Sequence, residues 1–142
     1  MSSRSIGFQC RYIVVADEDR VTRNFVIETL LEEGHAVFQA YDGLRAVQLA
    51  VGLKMCDLVI SNTRIGGVPG PDLIAELRDY LPDVAILYLA HPRHSTPEVE
   101  GDLPANVPIL REPFNAADLR LKVNRLLNRR GRRPRTTSTP SG

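Results

Sequence analysis

The chain has 142 residues, enough for one domain with a hydrophobic core and too few for two ordinary domains. Hydrophobic residues make up 43% and charged residues 25%, as in soluble globular proteins, and no apolar run has the length of a membrane span. The first residues lack the pattern of a signal peptide, so we expect a cytoplasmic location with no membrane contact. Cys10 and Cys56 form no metal-binding motif and indicate a reducing compartment.

The net charge of +1 hides an uneven distribution. Five arginines and no acidic residue lie near the end of the chain: Arg129, Arg130, Arg132, Arg133 and Arg135. Without these five, 13 basic residues remain against 17 acidic ones. The segment 128–142 is rich in Gly, Pro, Ser and Thr, so we predict a disordered tail there. Such a tail suits binding to nucleic acid or to an acidic partner, and equally suits a solubilising or linker segment.

Short apolar strands alternate with amphipathic helices along the rest of the chain. The predicted strands cover 11–16, 36–40, 57–61, 84–90 and 107–110. The predicted helices begin after Asp19, after Asp42, at Pro71, near Thr96 and after Asn115. This alternation predicts a three-layer α/β fold with a parallel five-stranded sheet and helices on both faces. We place the domain at 11–127, after an N-terminal extension at 1–10.

The first predicted helix runs from residue 20 to residue 33, and Gly34 ends it. Its predicted apolar side consists of Val21, Phe25, Val26, Ile27, Leu30 and Leu31. We interpret His35, His91 and His94 as solvated loop histidines, because their spacing makes no ligand set.

The predicted strand 57–61 runs into Asn62 and then into a predicted loop at 63–70. In an open α/β sheet, functional groups collect where the carboxyl ends of the strands meet their loops, and Asn62 stands at that point. A carboxylate there would attack a phosphoryl group, whereas a neutral amide is not a useful nucleophile. The alternative is a structural role, because Asn at a strand end often bonds the following backbone. Asp57 begins the same strand, and we expect it at the opposite end of the sheet.

In order and spacing, these elements resemble the receiver domain of two-component response regulators over roughly 11–127. The resemblance rests on two apolar strand segments, residues 13–15 followed by acids and residues 58–61 followed by Asn62. It also rests on Gly70 before the third helix and on the Glu-Pro-Phe sequence at residues 112–114 after the fifth strand. It implies a flavodoxin-like strand order 2-1-3-4-5 and a phosphoacceptor pocket at the carboxyl edge of the sheet. Receivers hold Mg²⁺ with two acids after the first strand and accept phosphate on an aspartate after the third. They end the fourth strand with a hydroxyl residue and the fifth with a lysine before proline.

This sequence departs from that pattern at four pocket positions. The first acid is Ala16, the acceptor is Asn62, the hydroxyl residue is Ala90, and the lysine is Glu112, which precedes Pro113. Ala90 offers no hydroxyl to follow a phosphoryl group, and Glu112 reverses the charge that would neutralise its oxygens. The resemblance therefore implies a degenerate receiver, or pseudo-receiver, that does not take phosphate.

Asp17, Glu18 and Asp19 keep acidic groups after the first strand. The resemblance implies at most a weak Mg²⁺ site at Asp17, with help from Glu18, because Mg²⁺ needs several oxygens in octahedral geometry. The alternative is that these acids only cap the following helix and complement its dipole. The glycines of 66–70 fit no Walker or dinucleotide pattern, so we interpret them as turn residues.

We predict a single-domain signalling protein with no catalytic residue, whose partner is a histidine kinase, a phosphotransfer protein or another response regulator. The resemblance implies docking through the first helix and its neighbouring loops, and it also admits a homodimer. The proline-punctuated segment 91–108 replaces the helix through which receivers usually signal or dimerise. The alternative is a nucleic-acid-associated protein that uses the arginine tail. A nucleotide-using enzyme is disfavoured because the phosphate-binding motif is missing.

Overall fold

A computed structural model describes residues 10–53, 56–62, 64–65, 68–93, 95–104 and 106–131. The strands are β1 (Tyr12–Ala16), β2 (Ala36–Ala40), β3 (Cys56–Asn62), β4 (Arg64–Ile65), β5 (Val68–Pro69), β6 (Ala85–Ala90) and β7 (Ile109–Arg111). The helices are α1 (Arg20–Glu32), α2 (Gly43–Leu53), α3 (Gly70–Tyr80), α4 (Pro97–Gly101) and α5 (Ala116–Gly131).

Five strands form one parallel sheet in the order β2-β1-β3-β6-β7. The strands β4 and β5 pair separately as an antiparallel hairpin. Counted without that hairpin, the sheet has the predicted order 2-1-3-4-5, so the predicted fold is confirmed. The order reverses between β1 and β3, and a crevice opens at the carboxyl ends of such strands.

Helices cover both faces of the sheet and divide the core into two layers. On one face, Val26 and Leu30 of α1 and Val123 of α5 belong to the same buried cluster as Ile13 and Ile60. On the other face, side chains of α2 and α3 form the second cluster. The central strand β3 is buried along its whole length, as expected for a parallel strand covered on both faces. This arrangement places Asn62 at the buried end of a rigid strand.

Side chains cap the helices where the sequence predicts it. The Oδ2 atom of Asp19 accepts the backbone N–H of Thr22 at 2.9 Å, and α1 starts there. Asp42 and Asn115 cap α2 and α5 in the same way, at 2.8 and 2.7 Å. Gly34 has a φ of 91°, in the left-handed region that favours glycine after a helix. These contacts lie within a few residues, which is why local sequence predicts them.

The predicted apolar side of α1 is wrong in part. Val21 is 76% exposed and Leu31 is 51% exposed, whereas Arg23 and Thr29 are buried. Helix α1 has apolar residues on several of its sides, so their pattern alone does not select which side faces the sheet. The buried side is centred on Arg23, Val26 and Leu30, at the spacing of one helical face.

Two predicted segment boundaries also change. The predicted loop 63–70 contains the β4–β5 hairpin, in which Arg64 pairs with Pro69 and Ile65 with Val68. Helix α5 continues to Gly131, so the predicted tail start at residue 128 is too early and Arg129 and Arg130 lie in a helix. Leu, Arg and Asn residues carry the helix to that point, and Leu and Arg are good helix formers. The other tail arginines, Arg132, Arg133 and Arg135, lie outside the described residues.

Among the helices that the structure describes, none combines the length and the apolar character that a bilayer-spanning segment needs.

Candidate functional site at the carboxyl edge of the sheet

The predicted pocket residues meet at one edge of the sheet. Ala16 ends β1 beside Ser61, and Asn62 ends β3 beside Leu89 of β6. The backbone N–H of Glu112 donates to the carbonyl oxygen of Ala90 at 3.0 Å, which brings the segment after β7 to the same place. The fold therefore assembles all four altered positions into one pocket.

A hydrogen bond between Asn62 and Asp17 closes the centre of this pocket. The Nδ2 atom of Asn62 donates to Oδ1 of Asp17 at 2.7 Å. The same oxygen accepts the backbone N–H of Asp19 at 2.8 Å. Asp17 has no exposed surface and Asn62 is 7% exposed, so solvent competes little for these bonds.

Burial changes the acidity of Asp17. It raises the pKa of this carboxyl from its ordinary value of 3.8 to about 7. The Asp19 N–H and the Asn62 amide oppose that rise, whereas the charges of Glu112 and Asp19 add to it. Within the described part of the chain, the buried Oδ2 atom of Asp17 has no hydrogen-bond partner. The pocket therefore disfavours a negative charge on Asp17.

Glu112 and His91 lie at the rim of the same pocket. Burial raises the pKa of the half-buried Glu112 carboxyl, the neighbouring His91 lowers it, and Asp19 raises it. The peptide bond from Glu112 to Pro113 is cis. Ala90 is 3% exposed and offers only a methyl group. The rim thus carries a carboxyl group where the receiver pattern has a lysine.

Arg23 is a pocket residue that the sequence analysis missed. It is 5% exposed, and its Nη1 atom donates to the carbonyl oxygen of Asp17 at 2.7 Å. Its Nε atom donates to the side chain of Gln39 at 3.2 Å, and its guanidinium lies 4.5 Å from the ring centre of Tyr41. Arg23 therefore fastens the turn after β1 to the end of β2. The sequence signal for its burial is its spacing from Val26 and Leu30, which places it on the same helical face. Charged residues are normally expected on the exposed face, so this spacing does not by itself predict burial.

Few side-chain oxygens of the described residues at this edge are placed to bind Mg²⁺. Mg²⁺ requires near-octahedral oxygen coordination. Ala16 supplies no side-chain oxygen, Asn62 turns its NH₂ group towards Asp17, and Oδ1 of Asp17 already accepts two N–H groups. Glu18 is exposed and lies outside the buried centre. In the described residues, no three His, Cys, Asp or Glu side chains are grouped so as to hold a metal ion.

A second buried polar group lies at the opposite, amino edge of the sheet. Asp57 accepts the backbone N–H of Tyr12 at 2.9 Å, and its other oxygen lies 3.7 Å from Nη1 of Arg11. The Nδ1 atom of His35 accepts the backbone N–H of Arg11 at 3.2 Å. Asp57 therefore stands away from the pocket, as expected. His35 is 8% exposed, so its interpretation as a solvated loop residue is wrong.

The structure describes some of the remaining predicted residues and not others. Gly70 begins α3, and His91 lies at the pocket rim. Gly66, Gly67 and His94 lie outside the described residues.

The fold and pocket together define a doubly wound α/β domain with strand-end acids at its switch point, the class that includes phosphoacceptor domains of signalling proteins. A sequence model of the response regulator receiver domain matches residues 13–124. The chain belongs to this family, which is a family of signalling domains.

Three curated relatives share this similarity. The transcriptional regulatory protein TcrA of Mycobacterium tuberculosis is 31% identical over 132 residues, covering 93% of this chain and 51% of TcrA. The aerobic respiration control protein ArcA of Escherichia coli is 28% identical over 121 residues, covering 85% of this chain and 50% of ArcA. The sensor kinase CckA of Brucella abortus is 28% identical over 120 residues, covering 82% of this chain and 12% of CckA. The chain spans about half the length of the two regulators.

Solved structures show the same fold. A response regulator receiver protein from Sinorhizobium medicae superposes with a TM-score of 0.75 at 25% identity, covering 86% of this chain and 98% of that one. The chemotaxis protein CheY4 of Vibrio cholerae superposes with a TM-score of 0.74 at 24% identity, covering 84% and 100%.

Proposed function

We propose that this chain is a pseudo-receiver of two-component signalling, which acts by binding a protein partner and takes no phosphoryl group. One observation carries the proposal: an amide at position 62 replaces the acceptor carboxylate and donates its N–H to the neighbouring acid, Asp17. The nitrogen lone pair of an amide is delocalised into the carbonyl, so Asn62 is a poor nucleophile.

The other groups of the pocket do not compensate for this loss. The second oxygen of Asp17 is buried below the surface, out of reach of a phosphodonor. Glu112 brings negative charge towards any phosphoryl oxygens, and Ala90 provides no hydroxyl for them. Phosphoryl transfer depends on positive charges that neutralise these oxygens, and this pocket opposes it.

A candidate docking surface lies on α1 and the segment after β7. We call it the α1 patch, and it consists of Val21, Phe25 and Phe114. Val21 is 76% exposed and Phe25 is 38% exposed. The rings of Phe25 and Phe114 lie 6.1 Å apart at an angle of 49°, in a tilted aromatic contact. Solvent-accessible aromatic groups that pack on each other in this way anchor protein interfaces.

The proposed partners are a histidine kinase, a phosphotransfer protein or another response regulator. The similarity to the sensor kinase CckA and to the regulators TcrA and ArcA supports these classes. Because the α1 patch lies outside the pocket, we expect these partners to bind it without any phosphorylation of this chain.

The phosphorylation part of this proposal is tested with acetyl phosphate and Mg²⁺. Intact mass is expected to remain unchanged, whereas a competent receiver treated in parallel gains one phosphoryl group. Stoichiometric, acid-labile phosphate on any aspartate of this chain would contradict the proposal.

The binding part is tested by affinity capture from cells of the source organism, with identification by mass spectrometry. Signalling proteins of the three proposed classes should bind the wild-type chain and be lost with Phe25→Ser. Tyr80→Ser is the matched control, because Tyr80 is a 59% exposed aromatic residue on α3, across the sheet from α1. If both variants capture these partners equally, the α1 patch is not the docking surface.

A further inference from the structure

The two edge strands of the sheet differ in their protection against pairing. The strand β7 has three residues, contains Arg111, and is flanked by Pro108 and Pro113. Short length, charge and flanking proline are the features by which proteins block an open edge. The strand β2 has five residues, Ala36–Ala40, with neither a charge nor a proline. Among the described residues, no further strand pairs with its outer edge.

The backbone groups that face outward from β2 are those of Val37 and Gln39. The N–H of Ala36 donates to the carbonyl oxygen of Arg11 at 2.9 Å, on the β1 side. Backbone groups alternate in direction along a strand, so Ala36, Phe38 and Ala40 bond to β1. The N–H and C=O groups of Val37 and Gln39 point to the open side.

We propose that β2 pairs with β2 of a second copy of this chain, antiparallel, about a two-fold axis at Phe38. In this register, Val37 and the partner's Gln39 exchange both of their backbone hydrogen bonds. By symmetry, Gln39 and the partner's Val37 exchange the same two hydrogen bonds on the other side of the axis. Phe38 then faces the partner's Phe38 as a non-hydrogen-bonded pair, in which side chains approach most closely. Every outward backbone group of the strand finds a partner, and the two sheets become one.

The side chains beside this edge suit the same arrangement. Phe38 stacks on Tyr12 with ring centres 6.2 Å apart, so a pair of Phe38 residues would continue an aromatic row across the axis. On the opposite face, an open groove of about 340 Å³ runs beside the strand, lined by Asn24, Ile27, Glu28, Val37 and Gln39. This groove has room for the side chains that the partner strand places on that face.

Charge favours a second copy as the occupant. The strand β2 carries no charge, so two copies meet without repulsion at the axis. On α1, Asn24 and Glu28 line the groove, and Arg20 lies four residues before Asn24 on the same side of the helix. An antiparallel partner sets the two α1 helices antiparallel, so the end of one helix that contains Arg20 lies towards the acidic half of the other, which contains Glu28. This inference does not depend on the proposed function.

Sedimentation of the full chain from low micromolar to near millimolar concentration tests the proposal. A monomer–dimer equilibrium is expected. Hydrogen exchange identifies the interface: the amides of Val37 and Gln39 should become protected as concentration rises. The amide of Phe38, which bonds to β1 in both states, should not change. A monomer over the whole range, or a dimer with unchanged exchange at Val37 and Gln39, would overturn the proposal.

Three variants make the test specific. Val37→Pro removes an outward N–H and leaves the bonds to β1 in place, so it should abolish the dimer. Val37→Ala shortens the side chain but keeps that N–H, and should still dimerise. Glu28→Arg brings like charges together and should weaken the dimer without touching the strand. If Val37→Pro does not fold, the exchange of the wild-type amides decides the question.

Discussion

The Nδ2 atom of Asn62 lies 2.7 Å from Oδ1 of Asp17, and this bond joins residues 45 positions apart at the centre of the pocket. It connects the end of β3 to the residue that follows β1, across the reversal in strand order. An aspartate at position 62 would have no N–H to offer. The Asn62 side chain thus completes a buried polar contact that two ionised carboxylates at positions 17 and 62 would break.

Asn62→Asp should destabilise the protein in a pH-dependent way. Two buried carboxyl groups at hydrogen-bonding distance share one proton readily but do not both ionise. We expect a loss of about 2–4 kcal/mol at about pH 8 and a much smaller loss at about pH 5, measured by urea unfolding. Asn62→Ala removes the donor without adding charge, so its cost should vary less with pH. Unchanged stability of Asn62→Asp at the higher pH would contradict the prediction.

Restoring the acceptor alone should not restore phosphorylation. Asn62→Asp leaves Glu112 at the lysine position and a methyl group at Ala90, so beryllofluoride should bind poorly. The combined variant Ala16→Asp, Asn62→Asp, Ala90→Thr and Glu112→Lys should gain much more than the sum of its single changes, because these groups act as a unit. Amide chemical shifts during a beryllofluoride titration measure this. Shifts that spread to β7 and α5 in Asn62→Asp alone would show that the pocket was already competent.

Asp17→Asn should improve stability increasingly as pH rises. The pKa of Asp17 in the folded state, about 7, exceeds the ordinary value of 3.8. Its contribution to the free energy of unfolding is therefore fully present below about pH 4 and is lost as pH rises towards 7. Asparagine does not titrate, so the stability of this variant relative to wild type should rise by about 2–4 kcal/mol between those limits. Denaturant unfolding across this pH range measures the difference.

Asp19→Asn is the matched control for that experiment. Hydrogen bonds from Thr22 lower the pKa of Asp19, so its contribution is present at neutral pH and lost in acid. The relative stability of Asp19→Asn should therefore fall as pH rises, opposite to Asp17→Asn. If the relative stability changed in the same direction in both variants, the opposite pKa shifts of Asp17 and Asp19 would be contradicted.

His35→Gln should reduce the loss of stability in acid. Burial lowers the pKa of His35 below its ordinary value of 6.5, so its stabilising contact is present above that pH and is lost as pH falls through the folded value. Protonation of Nδ1 would break the bond from the Arg11 N–H, at a cost of about 0.5–1.5 kcal/mol. Glutamine keeps an acceptor that does not titrate in this range. A thermal melting series below neutral pH is the measurement, and an unaltered acid limb would refute this role.

Arg111→Met should loosen α4 with little effect on global stability. Arg111 makes two hydrogen bonds of 2.7 Å to Glu100, which also accepts the hydroxyl of Ser95 at 2.6 Å. These bonds tie the one-turn helix to β7. Hydrogen exchange of the α4 amides should accelerate, whereas Glu98→Gln on the same helix should leave it unchanged. Equal exchange in both variants would show that the ion pair does not hold the helix.

Much of the fold follows from local features of the sequence. Asp19, Asp42 and Asn115 each bond a backbone N–H three residues ahead, so a short stretch contains the whole interaction. The buried parallel strands are readable as apolar runs, because both of their faces are covered. Strand polarity then requires that the ends of β1, β3 and β6 meet at one edge, which is why the altered pocket positions were predictable as a group.

The tertiary structure decided what those groups do to one another. The partner of Asn62, the bond from Arg23 to Gln39 and the buried bond of His35 each depend on contacts between segments far apart in the chain. Helix α1 has apolar residues on several sides, and only packing against the sheet selects the side that contains Arg23. Residue types and strand order thus determined which groups reach the pocket. Burial and hydrogen-bond direction, which exist only once the layers pack, determined that Asn62 caps Asp17 and that the Asp17 carboxyl resists ionisation.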